Sequence, residues 1–173
     1  MPHDSGPAPE FSRPFRLGLV GPDGRREVLE ADEAERAALA RRFGIPAVGS
    51  LRAELRLWPE AGGAVRAEGR LAADVVQSCV VTLEAVPQRV EEGVALRLLP
   101  EGAEPQDDAD EPDEIPSGAG GVVDLGEAVA EQLALALDPY PRAPGAELPA
   151  EASDAAEHPM AALAKLRPAG PRH

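Results

Sequence analysis

Apolar and polar residues alternate along two stretches in the middle of the chain, and this alternation predicts a β-hairpin. In residues 51–57 the apolar side chains occupy every odd position, and residues 64–76 largely repeat that order. The connection between the two stretches contains Pro59, Gly62 and Gly63, which favour a turn. Since a period of two places alternate side chains on one face, we expect a hairpin with one buried face.

The charges on the other face predict the register of this hairpin. In one register Arg56 lies opposite Glu68, and Glu54 lies opposite Arg70, so unlike charges meet. A shift of two residues keeps the same buried face but sets Arg56 opposite Arg66 and Glu54 opposite Glu68. Because each such pair changes stability by roughly 0.2–1 kcal/mol, we predict the first register.

Other stretches extend this pattern into a larger sheet. Alternation over residues 11–20, 25–29 and 89–99 predicts three more strands, and residues 80–86 could continue the second hairpin strand. A Gly-Pro-Asp-Gly turn at 21–24 separates the first two. The spacing of the strands is typical of an antiparallel meander or an open barrel.

Capping signals mark the helices. Asp32 followed by Glu35 forms a capping box, and Gly44 is a natural C-cap, which together predict a helix over 33–43. Capping and proline signals also predict two helices further along the chain. There Asp124 and Glu127 form a second capping box before a helix over 125–137 that ends ahead of Pro139, and Pro159 begins a short last helix.

These elements predict an α+β domain with an antiparallel sheet, open or barrel-like, two main helices and a short C-terminal helix. We expect one domain over residues 11–167, with disordered ends at 1–10 and 168–173. Residues 101–121 contain only acidic charges among Pro and Gly, so we expect a flexible acidic loop there.

The charge of the chain is strongly acidic and unevenly distributed. There are 31 acidic and 17 basic residues, which gives a net charge of −14. Residues 98–141 hold twelve acids and no base, so they supply −12 and leave −2 for the rest of the chain. Such a field repels phosphate backbones and attracts basic surfaces, and it therefore predicts a basic protein partner rather than naked nucleic acid.

Few residues are candidates for chemistry, and we expect no catalytic, cofactor or metal site. His3 and His173 lie at the ends, His158 precedes a proline, and none has a nucleophile nearby in sequence. Cys79 is the single cysteine, which excludes an intramolecular disulfide. We interpret it as a buried small residue, and a small enzyme that uses it as nucleophile is the less favoured alternative.

A second alternative is direct RNA binding. Arg52, Arg56, Arg66 and Arg70 lie together on the polar face of the hairpin, but glutamates separate them and Trp58 is the one aromatic residue nearby. Cross-strand pairing with those glutamates explains the arginines without RNA. The chain has no apolar stretch long enough for a membrane helix and no secretion signal at its start, so we expect a cytoplasmic protein.

Two segments resemble a known family. Residues 71–84 (LAADVVQSCVVTLE) and 123–142 (VDLGEAVAEQLALALDPYPR), together with the ending Leu163-Ala164-Lys165-Leu166, resemble the YceD-like family of large ribosomal RNA accumulation proteins. The order and spacing of these segments agree over roughly residues 11–167. The resemblance implies non-enzymatic support of large-subunit ribosomal RNA accumulation. Taken with the acidic charge, it leads us to expect a basic ribosomal protein or a pre-ribosomal particle as the partner.

This chain departs from the family at its cysteines. Members commonly carry a Cys-x-Arg-Cys-Leu box, in which Cys79 and Leu83 match while Val81 and Thr82 replace the arginine and the second cysteine. Further cysteines that many members have after the second helix are absent, which excludes a metal-binding role here. The candidate partner-binding residues are acids and neighbours of the second segment: Asp124, Glu127, Glu131, Gln132, Tyr140, Arg142, Asp107, Asp108, Asp110 and Glu111.

Overall fold

A computed structural model describes residues 10–106 and 112–147 of the chain. Its centre is an open five-stranded sheet in the order β2-β3-β4-β5-β6, and the small strands β1 and β7 pair separately. Two helices accompany the sheets, so the predicted α+β class is confirmed. The elements are β1 (Pro14–Arg16), β2 (Arg25–Glu30), α1 (Glu33–Phe43), β3 (Ala47–Pro59), β4 (Val65–Ser78), β5 (Ala85–Leu99), β6 (Asp113–Pro116), β7 (Val122–Asp124) and α2 (Leu125–Ala136).

The hairpin formed by β3 and β4 has the predicted register. Arg56 lies opposite Glu68 and Glu54 lies opposite Arg70. The carboxylate of Glu54 nevertheless binds other arginines, Arg52 at 2.7 Å on its own strand and Arg26 at 2.5 Å on β2. Unlike charges therefore face each other across β3 and β4. The ion pairs of Glu54, however, form within β3 and with β2.

One face of the sheet builds the core and the other remains open. The buried odd-numbered positions of β3 and β4 pack in one cluster with Leu39 of α1 and with Val129 and Leu133 of α2. Both helices thus cover the same inner face. The outer face, which carries the even-numbered positions such as Arg56 and Arg70, is exposed to solvent.

Helix α1 agrees with the prediction at both ends. The capping box between Asp32 and Glu35 is present, and Gly44 adopts the left-handed conformation with φ of 65°. At α2, Asp124 caps the helix as predicted. The second capping box is wrong, because the side chain of Glu127 does not accept a hydrogen bond from the amide of Asp124. The carboxylate of Glu127 pairs with Arg42 of α1 instead of reaching back to the N-cap, because α1 places a guanidinium beside it.

Two predicted strands are wrong in their extent. Of the strand predicted over 11–20, only the three residues of β1 form a strand, because β7 offers three residues for pairing. A single helical turn at Leu17–Leu19 follows it. The extension over 80–86 does not form. Residues 79–84 make a tight turn in which the amide of Leu83 donates to the carbonyl of Cys79 at 2.9 Å, and Leu83 adopts a positive φ of 63°.

The segment 101–121 contains a strand that its composition hides. Strand β6 pairs in parallel with β5, so the sheet is not wholly antiparallel. Ile115 packs against the core and Glu114 binds Arg97 at 2.6 Å, and these two contacts supply the burial and charge pairing that hold the strand. The flexibility of this segment stays a prediction. The predicted last helix and the predicted disordered ends lie outside the described residues, apart from residue 10.

Candidate functional site

Asp124 ties the N-terminal segment to the start of α2. Its carboxylate accepts hydrogen bonds from the hydroxyl of Ser12 at 2.5 Å and from the amide of Arg13 at 2.7 Å. It also accepts from the first-turn amides of Gly126 at 3.0 Å and Glu127 at 3.1 Å. With four donors around it, this carboxylate has a structural role in the fold.

Two more predicted partner-binding residues contact other parts of the same domain. Glu127 forms a forked ion pair with Arg42, with nitrogen–oxygen distances of 2.6 and 2.8 Å, and this pairing raises the pKa of Arg42. The amide of Gln132 donates to Asp113 at 2.9 Å, which links α2 to β6. These two polar side chains of α2 therefore connect the helix to other elements of the fold.

Other predicted partner-binding side chains, on α2 and in the segment after it, point into solvent. Glu131 and Arg142 are exposed, and 72% of Tyr140 is accessible. The turn at 79–84 lies beside this segment, because the amide of Val80 donates to the carbonyl of Pro141 at 2.9 Å.

This turn adds apolar surface that the sequence pattern did not reveal. Val80 is 50% exposed and Leu83 is 80% exposed. We name Val80, Leu83 and Tyr140 together the end surface. Strand alternation assigned the turn residues to a sheet, because residues 79–86 form a mostly apolar run.

Little of the acidity of residues 98–141 is neutralised in the described parts of the chain. Within 98–106 and 112–141, Glu114 and Glu127 form ion pairs with arginines. Glu101 accepts a hydrogen bond from the amide of Gly120, and Glu104 and Glu131 are exposed. Four of the predicted residues, Asp107, Asp108, Asp110 and Glu111, lie outside the described residues.

Cys79 is fully buried beneath the turn. Its sulfur accepts hydrogen bonds from the amides of Val81 and Thr82, each at 3.4 Å. Hydrogen bonds from the backbone of Ala143, which contributes most, from the side chain of Thr82 and from these two amides lower the pKa of Cys79 to about 6, although burial opposes the shift. The thiolate is thus stabilised by backbone amides and by the Thr82 side chain, and these contacts include no group that could act as a general base.

The pKa of Cys79 predicts a dependence of stability on pH. The folded pKa lies near 6 and the ordinary value is 9.0, so between these values the unfolded chain binds more protons. The free energy of unfolding should therefore rise with pH across this window, and the contribution should be lost as pH falls through the folded pKa. Urea unfolding at several pH values, with and without Cys79→Ala, measures it.

The matching test of burial is thiol labelling. Although the thiolate is populated at neutral pH, a disulfide reagent can reach it only after the turn opens, so labelling should be at least about 100-fold slower than in denaturant. Rapid labelling of the folded protein, or a Cys79→Ala variant with the wild-type pH profile, would contradict the buried thiolate.

The four arginines of the hairpin face divide into two kinds. Arg52 binds Glu54 at 2.7 Å, and Arg66 binds Glu60 at 2.5 Å. Arg56 and Arg70 form no ion pair with any residue of the described ranges. Ion pairs within β3 and with the loop that follows it therefore engage the first two arginines only.

The family box does not fit a metal in this chain. Cys79 is one sulfur donor, and the hydroxyl of Thr82, at the position of the second cysteine, lies 3.0 Å from Glu84. Over residues 10–106 and 112–147, no three His, Cys, Asp or Glu side chains are grouped so that they could hold a metal ion. Neither described helix has the length and apolarity needed to cross a membrane.

Together these features define a small α+β domain in which the segment after α2 is fastened to the turn between β4 and β5. The chain belongs to the family described as Large ribosomal RNA subunit accumulation protein YceD, whose model matches residues 67–167, more than half of its length. The resemblance seen in the sequence is thereby confirmed. No curated protein and no solved structure matches the chain.

Proposed function

We propose that this chain is a non-enzymatic factor in the accumulation of large-subunit ribosomal RNA, and that it acts by binding a basic large-subunit ribosomal protein or ribonucleoprotein particle. Family membership supports the first part. The second part rests on one observation: acids of residues 98–141 without arginine partners occur in the same segment as exposed Tyr140.

The charge supports recognition of a basic protein. Free carboxylates such as Glu104 and Glu131 attract a basic surface and raise the rate of encounter, and this attraction weakens as salt rises. Ribosomal proteins must have their positive charge neutralised before they meet RNA, and an acidic surface can do so. The rival explanation, that the acids serve solubility alone, predicts no preference among basic proteins.

The end surface supports a specific contact. Tyr140 and Leu83 are large, exposed and held in place by the hydrogen bond between Val80 and Pro141. Exposed aromatic and aliphatic side chains next to charged groups are typical anchors of protein interfaces. Charge would bring the partner in and the end surface would decide which partner remains bound.

Binding to purified large-subunit ribosomal proteins at two salt concentrations tests the proposal. We expect one or a few of them to bind, with an on-rate that falls with salt. Tyr140→Ala with Leu83→Ala should weaken that complex at least about tenfold, as expected for interface anchors. Glu104→Gln with Glu131→Gln should mainly lower the on-rate.

The controls separate specific binding from plain electrostatics. Glu33→Gln with Glu92→Gln removes the same charge from exposed positions elsewhere and should leave the complex nearly unchanged. Equal binding to lysozyme, an unrelated basic protein, would favour the solubility explanation. A lack of affinity for every large-subunit protein would overturn the proposal.

A further inference from the structure

Among the described residues, an arginine pair on the outer face of the sheet lacks carboxylate partners although two carboxylates lie directly opposite. Glu68 faces Arg56, but its ion pair is with Arg66 at 3.4 Å. Glu54 faces Arg70, but it is held by two other arginines, Arg52 and Arg26. Because both carboxylates are engaged elsewhere, the guanidinium groups of Arg56 and Arg70 are left to interact with an external anion.

A groove runs across the sheet at these arginines. It has a volume of ≈ 580 Å³ and is lined by Arg56, Trp58, Glu68, Arg70 and Gly93 among others. Gly93 lies opposite Arg70 on the neighbouring strand, and a side chain added there would meet nothing within 4 Å, so the floor of the groove is open. An adjoining groove of ≈ 480 Å³ extends past Arg56 toward β2.

The geometry of the pair suits a chain of phosphates better than a single ion. Arg56 and Arg70 are diagonal neighbours on adjacent strands, a relation with a spacing of about 7–8 Å. Each guanidinium offers a planar fork of donors that matches phosphate oxygens. Trp58 follows Arg56 by two residues and so lies on the same face, where it provides a ring for stacking.

We propose that this groove binds single-stranded RNA, with Arg56 and Arg70 on neighbouring phosphates and one base stacked on Trp58. This inference goes beyond the proposed binding of a basic protein and uses a different surface. Of the four arginines considered from the sequence, it uses the two that have no ion-pair partner within residues 10–106 and 112–147.

The net charge of −14 does not oppose such binding locally. Arg70 lies on β4, two positions from the acidic strand β6 or about 9–10 Å at the usual strand spacing, and Arg56 on β3 is one position further away. Glu68 also lines the groove, and its carboxylate has Arg66 as its ion-pair partner. Charges separated by more than about 8 Å are largely screened at physiological salt. Helix α2, which carries further acids, packs on the inner face of the sheet, opposite the groove.

Two optical measurements test the proposal on the full chain. Trp58 is the single tryptophan, so quenching of its fluorescence reports directly on the groove. The anisotropy of a fluorescein-labelled single-stranded RNA of about 12 nucleotides, within the range such surfaces bind, reports the affinity. We expect both signals, and a binding constant that falls with salt.

The variants separate the groove from general charge. Arg56→Gln with Arg70→Gln should weaken binding at least about tenfold and reduce the slope of log K against log salt by about 1.4, or 0.7 for each lost phosphate contact. Trp58→Leu, which keeps apolar bulk but removes the ring, should weaken binding at least about fivefold. Arg16→Gln with Arg41→Gln changes net charge equally on exposed residues outside this sheet and should have little effect.

The result that would overturn the proposal is equal RNA binding by the Arg56/Arg70 variant and the Arg16/Arg41 control, or no RNA binding by the wild type. Polyglutamate that quenches Trp58 more strongly than RNA does would also overturn it, because the groove would then select acidic peptide. Binding of basic ribosomal proteins should be unaffected by Arg56→Gln with Arg70→Gln, so the two proposals fail independently.

Discussion

Gly69→Ala should lower the free energy of unfolding by roughly 3 kcal/mol or more, because the two central strands touch at this residue. A Cβ atom built on Gly69 would lie 1.8 Å from the carbonyl oxygen of Glu54 and 3.0 Å from the Cα of Leu55. Both are backbone atoms of β3, so the whole strand would have to move. Urea unfolding followed by circular dichroism measures the loss.

Gly93→Ala is the matched control for this substitution. Gly69 lies in β4, and Gly93 lies in β5, which pairs with β4 on the side away from β3. A Cβ atom built on Gly93 meets nothing within 4 Å. Since alanine restricts the unfolded chain more than glycine does, this variant should be as stable as the wild type or slightly more stable. If Gly69→Ala costs no more than Gly93→Ala, β3 and β4 do not approach each other as described.

Asp124→Ala should cost about 2–4 kcal/mol, the second largest effect we expect. The substitution removes the N-cap of α2, which alone is worth about 1 kcal/mol. It also leaves the hydroxyl of Ser12 and the amide of Arg13 without their acceptor, and partly buried donors that lose a partner are costly. Because these donors belong to the N-terminal segment, β1 should loosen together with the start of α2.

Two further variants distinguish this role from a general effect of charge on α2. Glu131→Ala removes an exposed acid from the same helix and should change stability by less than about 0.5 kcal/mol. Asp124→Asn keeps one oxygen acceptor, so its loss of stability should lie between those of Asp124→Ala and Glu131→Ala. Hydrogen exchange of the amides in β1 and β7 locates the loss, and equal effects of Asp124→Ala and Glu131→Ala would contradict the anchoring role.

Local chemistry was enough to predict α1 and the central hairpin. The bounds of α1 follow from Asp32, Glu35 and Gly44, which act on backbone groups within one helical turn of themselves. The hairpin register follows from alternation and from charges such as Arg56 and Glu68 that become direct neighbours once the turn closes. Each of these interactions joins residues close in sequence or linked by a single turn, so the pattern contains both partners.

The residues near the turn at 79–84 and near β6 did not predict either element. The apolar run that includes Val80 looked like the continuation of a strand, yet it forms a turn fastened to Pro141. The acidic segment hid β6 because its order depends on Arg97 and on the core, not on its own composition. A strand at a sheet edge is stabilised by its neighbour, and that neighbour is not visible in the strand itself.

The sequence by itself determined the α+β class, the helix starts, the hairpin register and the family. Only the tertiary structure decided which charges are used inside the fold. Glu127 lies 85 residues from Arg42 and binds it rather than its own N-cap. Glu54 binds Arg26 of the next strand, and Arg70 directly opposite is left unpaired among the described residues. Such choices depend on how elements pack against one another, since a carboxylate has several arginines within reach and distance in space selects among them.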